Sequence, residues 1–289
     1  MTDCNVVDLH LHTTASDGSD TPGELISKAR ECGLKVISVT DHDTLVGIKT
    51  ALRSEACGVK IVTGIEFSCH AGGDSGFDCH ILGYGFDVDS PFVAAAVEHG
   101  RQMRLFKLEK RLEYLRETFG IEFTDQEIEK LRSYNSVAKP HLARLIIERG
   151  MADSVANAID KYLNGAKFPD DRIDASEAIS AIRSAGGVAV YAHPLGGERE
   201  KRLTVSDVIP RVRLLYELGI GGIECYYSRY SSSEHTALAE LADSYGLCAS
   251  SGSDYHGENK TVVLGCLSSD GKVIEKEKIT ILSALGVNI

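Results

Sequence analysis

Short apolar runs of strand length, separated by helical patterns, constrain this chain's fold more than any other feature. They fall at residues 6–11, 36–40, 61–67, 79–85, 188–192, 222–226 and 247–251. Runs this short, closed by turn-forming residues, read as buried strands rather than helices. Helical spacing fills several gaps. Residues 22–32 open on Pro22 behind Thr21, a plausible N-cap, and stop at Gly33; 175–185 and 233–245 end at Gly186 and Gly246. Strand alternating with helix predicts an α/β fold with parallel strands. Between residues 91 and 168 the pattern becomes helix only. Leu105, Leu108, Leu112 and Leu115 share one helical face, Gly120 ends that run, and further helices are predicted at 124–132, 140–149 and 153–163. The expected organisation is one domain from 1–90 plus 169–289, with 91–168 inserted between the fourth and fifth strands to cover its mouth.

The ends of the strand-like runs carry the chemistry. Asp8-Leu9-His10-Leu11-His12 closes the first, Val39-Thr40-Asp41-His42-Asp43 the second, and Gly252-Ser253-Asp254-Tyr255-His256-Gly257 follows the last. In an extended strand residues i and i+2 face the same way, so His10 aims with His12, and Asp254 with His256. Imidazole and carboxylate are ligands for Zn, Mn or Fe. One such pair could be two satisfied core histidines. Recurrence of the same residue types at Asp17, Glu66, His80 and His193 favours a site for several ions. Each falls at or just past the predicted C-terminal end of a strand, where barrel enzymes hold their chemistry.

The motifs Asp8-Leu9-His10-Leu11-His12-Thr13, Thr40-Asp41-His42-Asp43, Gly64-Ile65-Glu66, Ala192-His193-Pro194 and Gly252-Ser253-Asp254-Tyr255-His256-Gly257 resemble, in order and over nearly the whole chain, the PHP (polymerase and histidinol phosphatase) family of phosphoesterases, relatives of the amidohydrolases. The likeness is greatest to stand-alone members with a helical insert, such as nucleoside bisphosphate phosphatases. It implies a distorted seven-stranded (β/α)7 barrel with an all-helical cap; the strand count alone would also suit an open sheet. It implies three divalent ions, Mn2+, Zn2+ or Fe2+. One would lie on His10, His12 and Asp254 with Glu66 bridging, a second on Glu66, His80 and His193, and a third on Asp17, His42 and His256. A metal-bridging hydroxide would then attack phosphorus, with Glu66 between the ions and His42, His193 or a metal-bound water available to protonate the leaving group. Asp8, Asp41 and Asp43 are expected to accept the distal N–H of ligating histidines. His70, His99 and His235 match no motif.

A net charge of -11 over 289 residues argues against broad attraction to nucleic acid or membranes, short oligonucleotides excepted. No apolar run is long enough to span a bilayer, and no secretory signal pattern is visible. Eight cysteines without a C-x-x-C pair fit free thiols in a reducing cytoplasm. No phosphate-binding glycine loop or serine-nucleophile elbow occurs.

Substrate contacts are expected from the insertion. In Lys139-Pro140-His141-Leu142-Ala143-Arg144, Pro140 opens a helix, and His141 and Arg144 share a face beside its N-terminus. The family often has arginine where Lys139 stands. Arg229, after the sixth strand, is a second phosphate-binding candidate. The basic run Arg101, Arg104, Lys107, Lys110 and Arg111, interleaved with glutamates, reads as a solvated face. The expected activity is phosphoester hydrolysis on a small phosphorylated metabolite, a nucleoside 3',5'-bisphosphate first. The alternatives are a cyclic sugar or nucleotide phosphodiester, histidinol phosphate, 5'-trimming of short RNA, C–N hydrolysis, or a metal-binding module without catalysis.

Overall fold

The computed structural model describes residues 5–54, 58–166, 172–198 and 200–289. Cys4, Cys57 and the expected domain boundary at 168/169 lie outside them. Two sheets form among the described residues. The first is parallel, in the order β1 (Val7–Leu11), β2 (Val36–Val39), β3 (Lys60–Val62). The second comprises β4 (Gly64–Ala71), β5 (Phe77–Tyr84), β6 (Ile173–Asp174), β7 (Val188–Tyr191), β8 (Gly222–Tyr227) and β9 (Cys248–Gly252), in the order β6-β4-β5-β7-β8-β9. The apolar run at 61–67 is therefore two strands, broken at Thr63 and Gly64. Gly64 permits a close approach: a Cβ there would lie 2.0 Å from the Ser38 hydroxyl oxygen.

Two expectations need correction. First, β5 runs antiparallel to both β4 and β7. Its first half, carrying His80, therefore reaches the same rim as the C-terminal ends of β7, β8 and β9. His80 lies opposite Ser68 in the ladder, and the rule of ligands at C-terminal strand ends fails for it. Secondly, the strands do not close into a continuous ring. Among the described residues the strand pairing at the two seams is reduced to isolated bridges, Leu11 to Tyr255 and His42 to Glu66. At the first seam His12 N–H donates to Tyr255 O and Asp254 N–H to His10 O, each at 2.9 Å. At the second, Asp43 N–H donates to Glu66 O at 2.9 Å. Both seams thus pass through the motif residues.

Helices α1 (Pro22–Glu31) and α2 (Val46–Arg53) cover the first sheet. A capping box between Thr21 and Glu24 starts α1, and Gly33 at φ 85° follows its end. Next come α3 (Pro91–Phe119), α4 (Asp125–Ser133), α5 (Lys139–Glu148) and α6 (Val155–Ala158), with a π-helical turn at Ile159–Leu163. The chain returns through α7 (Ala175–Ser184), α8 (Val205–Leu218), α9 (Ser232–Ser244) and α10 (Ile281–Ala284). The run at 153–163 is thus split. Periodicity also missed α8, because Pro210 inside it reads as a breaker. Burial of Val208, Val212 and Leu215 along one face outweighs that local preference.

Buried apolar side chains fall into two clusters. The larger joins both sheets with α1, α2 and α7–α9; the smaller, with Leu108, Leu115, Leu131, Leu142, Ile146 and Leu163, lies wholly among the inserted helices. The long α3 spans them. Val93 and Ala96 pack in the first cluster, Leu108 and Leu115 in the second. No helix of the described residues is long and apolar enough to cross a membrane.

Candidate metal centre

Glu66, on β4 and 1% exposed, is the hub of the rim. Its Oε2 lies 3.1 Å from His10 Nε2, His12 Nε2 and His42 Nδ1. Its Oε1 lies 2.9 Å from His80 Nδ1 and 3.1 Å from His193 Nε2. Asp254 Oδ1 sits 3.6 Å from His10 Nε2 and 3.4 Å from His12 Nε2. On the far side of His12, Asp17 lies 3.2 Å from His256 Nε2 and 3.9 Å from His42 Nε2. All nine residues singled out by motif therefore converge, though they come from both sheets and from turns between them.

Their donor atoms form groups compact enough to hold a cation: His10, His12, Glu66 and Asp254; His12, Asp17, His42 and His256; His42, Glu66 and His80; and His80, His193 and Glu200. The first matches the expected set, and the second adds His12 to the expected third set. Glu200, in the loop after β7, was not foreseen; its Oε2 is 3.4 Å from His193 Nδ1.

The buried atoms His10 Nε2, both ring nitrogens of His12, His42 Nδ1, Glu66 Oε2 and His256 Nε2 make no satisfactory hydrogen bond among the described residues. Orphaned polar atoms at such density are costly unless something else fills their lone pairs. Converging imidazoles and carboxylates suit a divalent cation, so the donor set fits the metals that the resemblance implies.

Charge is balanced internally. Burial opposes the charged form of His12, but Asp254 and Glu66 outweigh it and lift its pKa to about 9. Burial likewise disfavours the ionised Glu66, Asp17 and Asp254, yet surrounding histidines hold all three well below the ordinary carboxylate range, with Lys260 the largest counter-influence on Asp254. Burial drives His42 and His256 the other way, toward the neutral form.

The backbone is bent to this purpose. The non-glycine residues with positive φ are Asp43 (50°), His193 (27°) and Asp254 (61°) among those described, and all three border the cluster.

The aspartates expected to orient histidines do something else. Asp8 accepts backbone N–H groups of Ser253 and Gly265, each at 2.9 Å, joining β1 to the chain after β9. Asp41 ties down the Thr13–Ser16 turn through Thr13 N–H (2.8 Å) and the Ser16 hydroxyl (2.5 Å). Asp43 accepts from Ser68 N–H at 2.9 Å and Arg104 Nε at 2.6 Å.

The basic helix face expected to be solvated is so only in part: Arg104, Lys107 and Arg111 line a cleft between the cluster and the helices that follow β5. That cleft, of about 370 Å3, also receives Lys139, Arg172 and Lys260. Arg101 and Lys110 do face water, beside Glu98 and Glu113. His141 is buried and its Nδ1 accepts the Ala138 N–H at 3.0 Å; Arg144 reaches Asn259 at 3.3 Å. Arg229 lines a separate cavity with Arg202 and Ser228. His70, His99 and His235 bond Asp78, Glu177 and the Tyr227 carbonyl, outside the cluster.

Residues 8–188 match the model of the PHP domain. The chain belongs to the PHP family. Curated relatives cover nearly its whole length. A phosphoribosyl 1,2-cyclic phosphate 1,2-diphosphodiesterase of Eggerthella lenta is 32% identical, covering 88% of this chain and 95% of that one. The 5'-3' exoribonuclease Rnm of Escherichia coli is 32% identical, over 92% and 91%. A 3',5'-nucleoside bisphosphate phosphatase of Chromobacterium violaceum is 31% identical, over 86% and 87%. Among solved structures, an amidohydrolase of Chromobacterium violaceum holding sulfate and no metal superposes with a TM-score of 0.80 at 27% identity, over 97% and 96% of the two chains. This PHP chain is a metal-dependent phosphoesterase.

Proposed function

We propose that this PHP enzyme hydrolyses a small metabolite carrying more than one phosphate, a nucleoside 3',5'-bisphosphate foremost. The observation that carries this reading is the cleft. Six cationic side chains, Arg104, Lys107, Arg111, Lys139, Arg172 and Lys260, border it, against the carboxylates of Asp17, Glu198 and Glu200. Its size suits a nucleotide-scale ligand, and the likeness to the bisphosphate phosphatase supports the choice. A cyclic phosphodiester of a sugar or nucleotide is the second reading, favoured by the likeness to the cyclic phosphate diesterase.

In this reading three divalent ions, Mn2+, Zn2+ or Fe2+, would be held by His10, His12, Asp17, His42, Glu66, His80, His193, Asp254 and His256. When bound they supply Lewis acidity and a water acidic enough to give hydroxide near neutrality. The chain's own groups do the rest. Each oxygen of Glu66 faces a different set of imidazoles, so Glu66 would contribute to more than one of the donor sets. Lys260 Nζ (2.7 Å) and the Tyr227 hydroxyl (2.8 Å) both donate to Asp254 Oδ2, which turns Oδ1 toward His10 and His12. Arg104 bonds Asp43 and the Ser68 hydroxyl at once, pinning α3 to the rim. His141 accepts at Nδ1, so in its neutral form Nε2 carries the proton, and it serves as an uncharged donor toward an anion. Lys139 and Arg144 contribute charge on α5, and a proton for the leaving oxygen would come from His193, whose Nδ1 faces Glu200 rather than Glu66, and not from His42, which burial holds toward the neutral form and whose two ring nitrogens both face candidate ligands. Arg229, in the separate cavity with Arg202 and Ser228, lies outside this cleft.

We read residues 91–168 as a cap over a domain formed by 1–90 plus 169–289, supported by the separate apolar cluster. The two sheets are read as a distorted barrel whose seams are the bridges at Leu11 and His42.

The test is phosphate release by Mn-loaded protein from nucleoside bisphosphates, cyclic nucleotides, ribose cyclic phosphates, histidinol phosphate and 5'-phosphorylated short RNA. A bisphosphate preference abolished by chelator is expected. Preference for a cyclic diester or for RNA would replace the first reading with that alternative.

A further inference from the structure

We propose that Glu224 is a positioning residue which locks His10 and His193 together and decides which ring nitrogen of His10 faces the centre; the inference rests on the metal-dependent reading above. Glu224 sits on β8, fully buried, beneath the rim. Its Oε1 is 2.9 Å from His10 Nδ1, and its Oε2 accepts the backbone N–H of His193 at 2.7 Å. A carboxylate placed there in the absence of a purpose would be costly.

Three further observations converge on the same pair. His10 Nε2 is the nitrogen aimed at Glu66 and Asp254, so Nδ1 is the one left for an outer partner. His193 holds φ at 27°, and its N–H bond to Glu224 anchors that bend. Gly252 on β9 leaves no side chain between the partners: a Cβ there would lie 2.1 Å from His10 Cβ and 2.6 Å from Glu224 Oε1. Strands β1, β8 and β9 thus interlock around one carboxylate. Because His10 and His193 face opposite oxygens of Glu66, Glu224 fixes both sides of the hub from behind.

A carboxylate accepts both bonds; an amide of the same shape does not. In Glu224→Gln the amide oxygen can face the His193 N–H, which leaves the NH2 group against His10 Nδ1. That nitrogen must then be an acceptor, and the proton moves to Nε2, where it blocks coordination. Turning the amide over sets NH2 against the His193 N–H instead.

The experiment titrates Zn2+ calorimetrically into metal-free wild type, Glu224→Gln and Glu224→Asp, with metal content and thermal midpoints measured alongside. Glu224→Gln is expected to weaken at least one ion by about 10–100-fold and to lose the metal-dependent rise in midpoint, with circular dichroism of the metal-free protein unchanged. Glu224→Asp, which keeps the acceptor, recovers part of that loss. Independently of any variant, 15N-histidine NMR of Zn-loaded wild type is expected to show His10 protonated at Nδ1 and coordinated through Nε2. Wild-type affinity in Glu224→Gln, or coordination through His10 Nδ1, would overturn the inference. Should Glu224→Gln not fold, the NMR result alone decides. Failure of the wild type to bind Zn2+ would instead overturn the reading of the centre, and this inference with it.

Discussion

His141 offers a quantitative test, because the fold makes it something other than a surface cation. It is 5% exposed, packs against Tyr134 with ring centroids 4.0 Å apart and the rings tilted, and accepts the Ala138 N–H at the start of α5. Burial, with the nearby charge of Arg144 adding to it, lowers its pKa from 6.5 to about 4. The folded protein therefore binds the proton less readily than the unfolded chain. The stabilisation is complete above pH 6.5 and is lost as pH falls through about 4. At about 1.4 kcal/mol per unit the whole difference is worth about 3 kcal/mol, of which about 2 kcal/mol disappears between about pH 7 and pH 5. His141→Gln preserves a side-chain acceptor for the Ala138 N–H but cannot titrate. Urea unfolding of both proteins, followed by circular dichroism, should show the wild type losing about 2 kcal/mol more than the variant over that interval. Comparing the two proteins cancels the titration of the metal centre. Parallel stability curves, or an NMR titration of His141 centred near 6.5 in the substrate-free protein, would refute the argument.

Other outcomes follow from the same geometry. Glu66→Gln should lower metal content and reduce kcat by at least about 100-fold, since a bridging carboxylate is replaced by a neutral amide; full metal occupancy by elemental analysis would contradict the hub assignment. Arg104→Ala removes the tie from α3 to Asp43 and Ser68. It should raise KM about tenfold or more while metal content stays constant, as read by steady-state kinetics and elemental analysis. Leu142→Ala, at a fully buried position of the inserted cluster, should cost about 2–5 kcal/mol locally. Hydrogen exchange should then rise in α3–α5 rather than in β7–β9. Chelation should lower the thermal midpoint of the wild type, because ions that bind only the folded centre stabilise it by mass action; an unchanged midpoint would speak against the ligand set.

The candidate ligand residues were legible in the sequence because their types and local spacing carry the chemistry. His10 and His12 must aim together wherever that stretch is extended, and Asp254 and His256 recur with the same logic. The strand-like runs, the glycine stops at Gly33 and Gly120, and the helix-only stretch from 91 were equally local, set by hydrophobic period and backbone freedom. Direction and partnership were not local. Nothing within 79–85 says that β5 runs against its neighbours, since an apolar run reads alike in either sense; the ladder with β4 decided it. Arg104 and Lys107 looked like a solvated face because alternation with glutamate is all that sequence can register, whereas packing of α3 turned them into the cleft. Glu224, in the buried run Gly222–Tyr227, carried no motif, and only the meeting of β1, β8 and β9 placed it behind His10. The sequence by itself determined which atoms could hold metal and most of the places where strands and helices form, α8 and the break at Thr63 and Gly64 excepted. Tertiary structure alone decided which charges face the cleft and which carboxylate orients which ring, because those depend on contacts between residues far apart in the chain, such as Arg104 with Asp43 and His10 with Glu224.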